Sequence, residues 1–483
     1  MLERLVKIGF FIASLCVSLP SSAWKPWPLP MDSVDVKKDS INYNAAIWAV
    51  TSSHKYAPFW FQTNRFGLVS HEPHSGNLDV YVGKDLTRPN RWFDYGFGIQ
   101  AVGQVNSKSA LLFMQQLYGQ VRLYIFDITI GIRPQVWGNQ DPELSSGGFL
   151  FSQNARPIPR ITIGIENYTT VPFTYGYLEV KGGLTHGWFT DNIYVQHAYF
   201  HHKFIGARLG GKLPVTLNYE FHHAAQWGGY SPVYGDLGSS FKDWMHVFLA
   251  QSGGVMSNDQ INAYGNHIGS QNIGMDIKYW GWNVSLYWQN IFEDGPIKPF
   301  WNTMNLTDGI WGISVRQKRF PFISGFLYEF INTTDQSGPF HDKDGLVFGG
   351  NDDYFNNSIY LNGWTYYART LGTPFITSPV YNENGSVILL NNRVRAHYIA
   401  IQGDIYGFRY RTQVSHAENY GRYSDESYGQ TRNTAILLEV KKQIPEAWNL
   451  DFSLSLGADL GTQFGNSFGV MFSVAKRGII WTY

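Results

Sequence analysis

Histidines are the side chains of this sequence that most suggest chemistry. They occur at His197, His201 and His202, and as the adjacent pair His222 and His223. On a strand, adjacent side chains point to opposite faces, and His197 and His201 would lie roughly a dozen ångströms apart at about 3.3 Å per residue. A metal site would therefore need ligands from neighbouring strands. We expect these histidines to line an interior or an interface, and we predict no metal.

Carboxylate and nucleophile patterns are equally sparse. The run 342–345 (DKDG) resembles the start of a calcium loop but lacks the remaining ligands of the twelve-residue motif. Asp352 and Asp353 lie in a Gly- and Asn-rich stretch typical of a solvated turn. Ser415 and His416 are neighbours that point apart on a strand, and the sequence has no GxSxG, HExxH or Walker motif. We therefore predict no catalytic residues, no cofactor and no enzymatic activity.

The overall composition excludes several other classes of protein. The 483 residues are 17% aromatic and 15% charged, with 37 basic and 37 acidic side chains. A neutral chain without a basic stripe is poorly suited to bind nucleic acid, and low charge with many aromatics opposes disorder. The mean hydropathy of −0.22 opposes a bundle of apolar membrane helices. The only cysteine, Cys16, lies near the N-terminus, so the rest of the chain has no disulfide or thiolate metal site.

The first 23 residues are predicted to be a signal peptide. Arg4 and Lys7 form a positive start, residues 8–19 are apolar, and residues 21–23 (SSA) are the small side chains of a cleavage site. The apolar run is too short to span a bilayer comfortably. We therefore expect an exported protein whose processed chain begins near Trp24.

The strongest pattern along the exported chain is a two-residue alternation of apolar and polar side chains. It is clear in 215–222, 273–279, 282–289 and 450–460. In 215–222 the apolar face holds Val215, Leu217, Tyr219 and Phe221. A secreted β-sandwich or propeller would alternate in the same way, but a transmembrane barrel leaves no backbone group unpaired in lipid. The alternation predicts an all-β fold, a transmembrane antiparallel β-barrel.

Three further features favour the membrane barrel. Aromatics stand at segment ends, as at Trp280, Trp282 and Trp288, and the chain ends on an alternating aromatic strand at Tyr483. Short turns alternate with long polar connections, which are predicted at 138–160, 225–243, 253–272, 332–358 and 371–391. The length allows about 16 to 20 strands. We assign residues 24–55 to a periplasmic segment, with a short helix within 40–49, and residues 56–483 to one barrel.

Polar side chains are predicted to face the interior of this barrel, and aromatic and amide side chains occur in its loops. The predicted interior positions include Asn218, Glu220, Asp276, Lys278, Arg409, Arg411, Gln413, Glu439 and Lys441. The loop residues that could stack on or hydrogen-bond to sugars are Trp227, Tyr230, Tyr234, Tyr354, Asn356, Asn357, Tyr420 and Tyr423. The alternative for each of these loop residues is girdle or loop packing, which is common to all such barrels.

Several blocks in order resemble the capsule assembly Wzi family, in its Bacteroidetes-type members. The blocks are 58–67 (PFWFQTNRFG), 242–244 (KDW), 367–375 (YARTLGTPF) and 391–397 (NNRVRAH). The family-motif positions they contain are Trp60, Asn64, Arg65, Gly67, Asp243, Asn391, Asn392 and Arg393. The resemblance implies an outer-membrane barrel of about eighteen strands with a lectin-like role in attaching or organising capsular polysaccharide. The matched residues have either that role or one in barrel architecture.

These observations together predict a non-enzymatic barrel in the outer membrane of a Gram-negative bacterium. Its expected partners are capsular polysaccharide and outer-membrane lipid, without nucleic acid, and we expect a monomer. The alternative function is a porin or channel for small solutes or saccharides, which requires an open interior. A third class, an outer-membrane hydrolase, would need a Ser/His/carboxylate cluster within hydrogen-bond reach.

Overall fold

The computed structural model describes residues 39–86, 92–252, 264–293, 305–339, 341–343, 346–425 and 428–482. The predicted signal peptide, the segment 24–38 and the terminal Tyr483 lie outside the described residues, as do Asp344 and Gly345 of the calcium-like run. No helix in the described part of the chain is long and apolar enough to cross a membrane.

Eighteen antiparallel strands form one closed barrel, which confirms the predicted fold class. The strands are β1 (Ser40–Ser52), β2 (Ser75–Lys84), β3 (Phe93–Asn106), β4 (Ala110–Leu123), β5 (Phe126–Ile132), β6 (Pro159–Thr170), β7 (Leu178–Trp188), β8 (Tyr199–Leu209), β9 (Val215–Trp227), β10 (Asn266–Tyr279), β11 (Trp282–Glu293), β12 (Gly309–Gln317), β13 (Gly325–Asn332), β14 (Val394–Ile405), β15 (Phe408–Asn419), β16 (Thr431–Ile444), β17 (Leu450–Gly461) and β18 (Ser467–Thr482). Because β1 pairs with both β2 and β18, the cylinder has no open edge.

The connections contain a few small elements. Two short helices, α1 (Phe59–Gln62) and α2 (Phe241–Leu249), lie in the connections after β1 and β9. The remaining pieces are a 3₁₀ turn at Pro379–Tyr381 and three two-stranded ladders: Tyr230–Ser231 with Gly235–Asp236, His341–Lys343 with Leu346–Gly349, and Thr365–Tyr366 with Arg369–Thr370.

The prediction of a periplasmic segment with a short helix is wrong for residues 40–52. These residues form β1, the strand that closes the barrel, and the barrel therefore begins at Ser40 rather than at residue 56. Ala45, Ala46 and Ala49 favour a helix locally, but β1 supplies backbone partners for both β2 and β18. An unpaired edge would cost more than the weak helix propensity gains, so the pairing decides the local structure.

The predicted alternation is confirmed on the barrel wall. Along β9, Val215 and Leu217 are exposed on the outside, whereas Thr216 and Glu220 are buried on the inside. The same outward exposure of apolar side chains recurs around the cylinder and forms an apolar belt. Its members include Ile47, Leu78, Val80, Ile99, Leu117, Ile130, Ile163, Ile205, Leu217, Ile273, Leu286, Ile399, Val414, Ile436, Leu438, Leu454, Leu456 and Phe472.

The two ends of the barrel differ in their connections, as predicted. At what we call the short-turn end, the connections are 85–92, 124–125, 171–177, 210–214, 280–281, 318–324, 406–407 and 445–449. Most of these turns carry strongly exposed aromatics: Trp92, Tyr124, Phe173, Tyr175, Trp280, Phe322, Tyr406 and Trp448. At the long-loop end, the connection 333–393 unites two loops that were predicted separately, while 107–109 and 462–466 are short.

Candidate functional site

Three connections of the long-loop end fold inward and occupy the lumen, the space enclosed by the strands. They are residues 53–74, 133–158 and the described part of 333–393, which we call the plug. Their apolar side chains join those of the inner wall in one buried cluster that includes Trp60, Phe149 and Trp364. The plug is therefore part of the protein core and not a loop lying over the barrel mouth.

The segment 133–158 crosses the lumen from one wall to another. Asn139 donates a hydrogen bond to Asn218 on β9. Four residues further on, the backbone carbonyl of Glu143 accepts one from Arg411 on β15 at 3.1 Å. Since β9 and β15 are six strands apart in the barrel, this segment spans the interior.

Arg316 on β12 holds two carboxylates of the same segment. Its Nε lies 2.7 Å from Asp141 Oδ2, and its Nη1 lies 2.9 Å from Glu143 Oε2. Burial alone would raise the pKa of Asp141, but the hydrogen bonds and charge of Arg316 outweigh it and hold that pKa below its ordinary value. For Glu143 the effect of burial is larger than that of its partners, so its pKa is raised. Asp141 is therefore the more readily ionised carboxylate of the pair.

Glu329 on β13 is a second anchor for this segment. It is fully buried and accepts hydrogen bonds from Ser145 Oγ at 2.7 Å and from the Ser146 backbone N–H at 2.8 Å. The hydroxyl of Tyr287 on β11 also donates to it. A buried carboxylate needs several donors of this kind, so loop and wall depend on each other.

The segment 53–74 is held by the residues around α1. The backbone N–H of Phe59 donates to Asp459 Oδ2 at 2.9 Å, and the indole of Trp60 donates to Ser415 Oγ at 3.1 Å. Arg65 donates to Glu439 Oε2 at 3.1 Å. The hydroxyl of Ser415 is therefore used inside the barrel as a plug contact.

Glu439 on β16 concentrates charge on the lumen wall beside the plug. Three cations lie within ion-pair distance of its carboxylate: Arg65 at 3.1 Å, Arg411 at 3.3 Å and Lys441 at 3.2 Å. Glu439 is 1% exposed. Of the predicted interior positions, Asn218, Arg411 and Glu439 thus join the wall to the plug. Lys278 is instead exposed near the short-turn end.

Two other family-motif positions, Asn64 and Gly67, determine the backbone conformation of the segment 53–74. Asn64 has a positive φ of 52° and donates its amide to the carbonyl of Ser146. Gly67 has a φ of 66°, and a Cβ there would lie 2.9 Å from Arg156 Cγ. Glycine tolerates both the left-handed backbone and the close approach. These positions join 53–74 to 133–158.

The motif positions near residue 391 fasten the third plug segment. Asn391 donates to Thr377 Oγ1 at 3.0 Å and to Asn419 Oδ1 at 2.9 Å. Asn392 donates to Asp353 Oδ1 at 2.7 Å. The guanidinium of Arg393 lies 3.6 Å from the centre of the Tyr423 ring. In the described structure these contacts are architectural.

Asp243, the remaining motif position, caps α2. The Ser240 hydroxyl accepts from the Asp243 backbone N–H, and the Asp243 carboxylate accepts from the Ser240 backbone N–H at 2.8 Å. This capping box starts the helix, so residues 242–244 are helical. Val247 of α2 packs in a buried cluster with Trp227 and Tyr264.

The predicted sugar-binding residues are not brought together at one surface. Trp227 is 2% exposed and Tyr354 is fully buried, so their rings serve packing. The side chains of Asn356, Asn357, Tyr420 and Tyr423 are half-buried and hydrogen-bonded within the protein. Tyr230 and Tyr234 are 55% and 45% exposed, on the hairpin at the long-loop end. Among the predicted residues these two are the accessible aromatics.

Histidine pairs join neighbouring strands in a way that sequence spacing could not reveal. His202 Nε2 lies 3.1 Å from His222 Nδ1, and His223 Nε2 lies 2.8 Å from His267 Nδ1. His267 was not recognised from the sequence because its partner is 44 residues away. No group of three or more His, Cys, Asp or Glu side chains suited to a metal occurs among the described residues.

Two small cavities are associated with the plug. One of about 110 Å³ opens at the long-loop end and is lined by Ile193, Asn362, Thr365, Ala368, Pro379, Gly385, Ser386 and Val387. The other, of about 10 Å³, lies between α1 and the wall near Ser415, and is close to the minimum for one water. The plug and wall are therefore closely packed at this contact.

Comparison with known proteins supports the barrel architecture. The chain matches no known sequence family and no curated protein sequence. Among solved structures it is similar to Wzi of Escherichia coli, described as an outer membrane protein involved in group 1 capsule assembly and a carbohydrate binding β-barrel, with 14% identity and a TM-score of 0.58. The match covers 91% of this chain and 84% of Wzi. At this identity the likeness establishes the fold, and membership of the Wzi family stays a prediction.

Two further solved structures are more distant. OpdQ of Pseudomonas aeruginosa has 8% identity and a TM-score of 0.46, with coverage of 92% of this chain and all of OpdQ. A BenF-like porin of Pseudomonas fluorescens has 8% identity and a TM-score of 0.44, with 92% and 99% coverage. These values are too low to support a channel function.

The plug anchors Arg316, Asp141 and Glu329 were missed by the sequence analysis. The available signal was that Arg316 and Glu329 occupy the inward phase of alternating strands, where a charged side chain needs a partner. The partners lie more than 170 residues away along the chain. Spacing in the sequence gives no information on such a pairing.

Proposed function

We propose that this protein is an outer-membrane barrel that binds capsular polysaccharide and assists its attachment or assembly at the surface of a Gram-negative bacterium. The observation that carries the proposal is the plug. A lumen filled by three interlocked segments is suited to a binding surface and poorly suited to conduction. The protein would act as a monomer and without a cofactor or catalysis.

The membrane location is supported by the outer surface. The barrel has an apolar belt of exposed Ile, Leu and Val side chains, and exposed aromatics such as Trp280, Tyr406 and Trp448 border it. Such a surface is stable in contact with lipid and unfavourable in contact with water. Short turns face the periplasm in such barrels and longer loops face outward. The long-loop end would therefore meet the polysaccharide.

The proposed contact surface centres on Tyr230 and Tyr234. Aromatic rings stack on the apolar faces of sugars, and these two rings are exposed on one hairpin. Many weak contacts along a polymer add through effective concentration, so a shallow surface is sufficient. The carbohydrate binding named for Wzi, which has the same fold, is in accord with this assignment.

The test replaces both rings and measures binding of capsular polysaccharide from the producing strain to the purified barrel. We expect the double variant Tyr230→Ala/Tyr234→Ala to bind about thirtyfold more weakly, since two aromatic contacts of about 1 kcal/mol each add to about 2 kcal/mol. The matched control is Tyr406→Ala, which removes an 87% exposed ring from the short-turn end. Equal loss in both variants, or none in either, would contradict the proposed surface.

The cellular test is deletion of the gene. Capsule should loosen from the cells and polymer should appear in the medium, while synthesis continues. Full retention of capsule would contradict the proposed function. The alternative, a porin, predicts a large stable conductance of the unmodified protein in planar bilayers, which the plug opposes.

A further inference from the structure

A polar patch interrupts the apolar outer face of the barrel on β14, β15 and β16. It consists of two cross-strand rows near the long-loop end. The members of this outer basic patch are Arg395, Glu418 and Arg432 in the upper row and His397, His416 and Thr434 in the lower row. The side chains of both arginines and both histidines are exposed.

The patch lies at a defined depth on the wall. The row beneath it is aliphatic and exposed, with Ile399, Val414 and Ile436 directly opposite one another. Ten residues separate Arg395 from Ile405 at the short-turn end of β14, which is about 33 Å along a strand at ~3.3 Å per residue. A strand tilt of about 40° reduces this to roughly 25 Å, the usual height of the apolar band. The arginine row therefore lies where outer-leaflet headgroups begin.

The cations of the patch have unused hydrogen-bonding capacity. Within the described residues, neither the guanidinium of Arg395 nor that of Arg432 has a hydrogen bond or ion pair. Glu418, which stands between them, accepts a hydrogen bond from the Tyr420 hydroxyl at 2.7 Å. Two positive charges against one negative charge leave this row net positive.

The histidines beneath are also only partly engaged. His397 Nδ1 lies 2.9 Å from the Tyr328 hydroxyl, and His416 Nδ1 lies 2.8 Å from Thr434 Oγ1. The Nε2 of each imidazole has no hydrogen bond in the described part of the chain. The lower row adds two polar atoms directly below the arginines.

On the neighbouring strands, the outward positions at the height of the lower row are apolar. On one side of the lower row stand Phe330 of β13 and Trp311 of β12, and on the other stands Leu460 of β17. Trp311 and Leu460 are 45% and 52% exposed. The lower row is therefore a polar exception between apolar side chains, and it lies directly below the two arginines.

We propose that the outer basic patch binds a phosphate group of an outer-leaflet lipid headgroup. The inference rests on the membrane placement in the proposed function and adds a lipid site that is separate from the polysaccharide surface. Arg395 and Arg432 project from strands about 10 Å apart, close enough for two flexible guanidinium groups to approach one headgroup. Guanidinium groups bind phosphate through paired hydrogen bonds.

The experiment measures binding of phosphorylated lipid A, and of its dephosphorylated form, to the whole barrel in non-ionic detergent with EDTA, by native mass spectrometry. The double variant Arg395→Ala/Arg432→Ala should bind the phosphorylated form about 25-fold more weakly, since each cationic side chain contributes about fivefold. Glu418→Gln should tighten binding because it removes a negative charge beside the phosphate. The control Lys442→Ala/Lys476→Ala removes two cations near the opposite rim and should have no effect.

Three results would overturn the lipid site: unchanged affinity in the arginine variant, equal affinity for the dephosphorylated lipid, or weaker binding by Glu418→Gln. Cell fractionation of the unmodified protein separates this failure from that of the proposed function. If the barrel does not sediment with outer membranes, the membrane location in the proposed function is contradicted. If the barrel sediments with outer membranes but binds lipid A equally with and without phosphate, only the proposed lipid site is contradicted. The arginine variant should keep its affinity for capsular polysaccharide.

Discussion

Arg316 on β12 and Asp141 in the plug form an ion pair across the interior of the barrel. Their side chains meet at 2.7 Å although the residues are 175 positions apart in the chain. Both side chains are mostly shielded from water, at 22% and 5% exposure. The contact holds residues 133–158 inside the lumen against the wall, so the position of this plug segment depends on a small number of charged contacts.

Replacing Arg316 with alanine should open the barrel. The change leaves two carboxylates, Asp141 and Glu143, buried without their cation, and breaking a buried pair costs about 3–5 kcal/mol. The segment 133–158 should then leave the lumen for part of the time. We expect frequent conductance steps in planar bilayers where the unmodified protein gives few.

The matched control is Arg122→Ala. Arg122 Nε lies 2.7 Å from Asp127 Oδ1, in a pair that joins β4 to β5 without touching the plug. This variant also loses a partly buried ion pair but should stay closed. If both variants conduct alike, general loosening of the wall and not plug release would explain the result.

Asp308 should make the stability of the long-loop end depend on pH. Burial raises its pKa to about 6, against an ordinary 3.8, while hydrogen bonds from the Gln336 and Asp335 backbones and the Tyr354 hydroxyl act in the opposite direction. Between pH 3.8 and 6 the folded state therefore binds this proton more readily than the unfolded state. The free energy of unfolding should rise as pH falls through this window, by no more than about 3 kcal/mol.

The measurement is urea unfolding in detergent between pH 4 and pH 7. Asp308→Asn cannot titrate, so its stability should lack this part of the pH dependence. Asp236→Asn, at an exposed position of the same end, should retain it. A slope unchanged in Asp308→Asn would assign the pH dependence to other groups.

Leu217 and Leu213 provide a test of lipid contact. Both side chains are 52% exposed, but Leu217 lies on the outer face of β9 and Leu213 in the turn 210–214. In lipid vesicles, Leu217→Arg should lower the free energy of unfolding by more than Leu213→Arg, since the cost of an arginine on the lipid face rises from about 0–1 kcal/mol near the interface to about 2–4 kcal/mol at the midplane. Heat-dependent gel mobility reports the folded fraction. Equal effects of the two substitutions would argue against an apolar environment around β9.

Alternation in the sequence predicted the strands of the barrel wall accurately where one face of the strand points outward and the other points into the lumen. The segments 215–222, 273–279 and 450–460 all lie within strands with the expected faces. It failed for 40–52, because alanines weaken the alternation there and the closing partners come from the far end of the chain. It also missed α2, although Ser240 and Asp243 are a recognisable capping box.

The sequence by itself determined the class of this protein, because side chains that face lipid and lumen in turn leave a period of two in any single strand. The tertiary structure alone decided that three connections of the long-loop end pack against the inner wall of the barrel. Contacts such as Trp60 with Ser415 and Arg316 with Asp141 join residues 355 and 175 positions apart, and no local pattern encodes them. For the same reason the burial of Tyr354 and the exposure of Tyr230 followed from packing, since both look alike as loop tyrosines in the sequence.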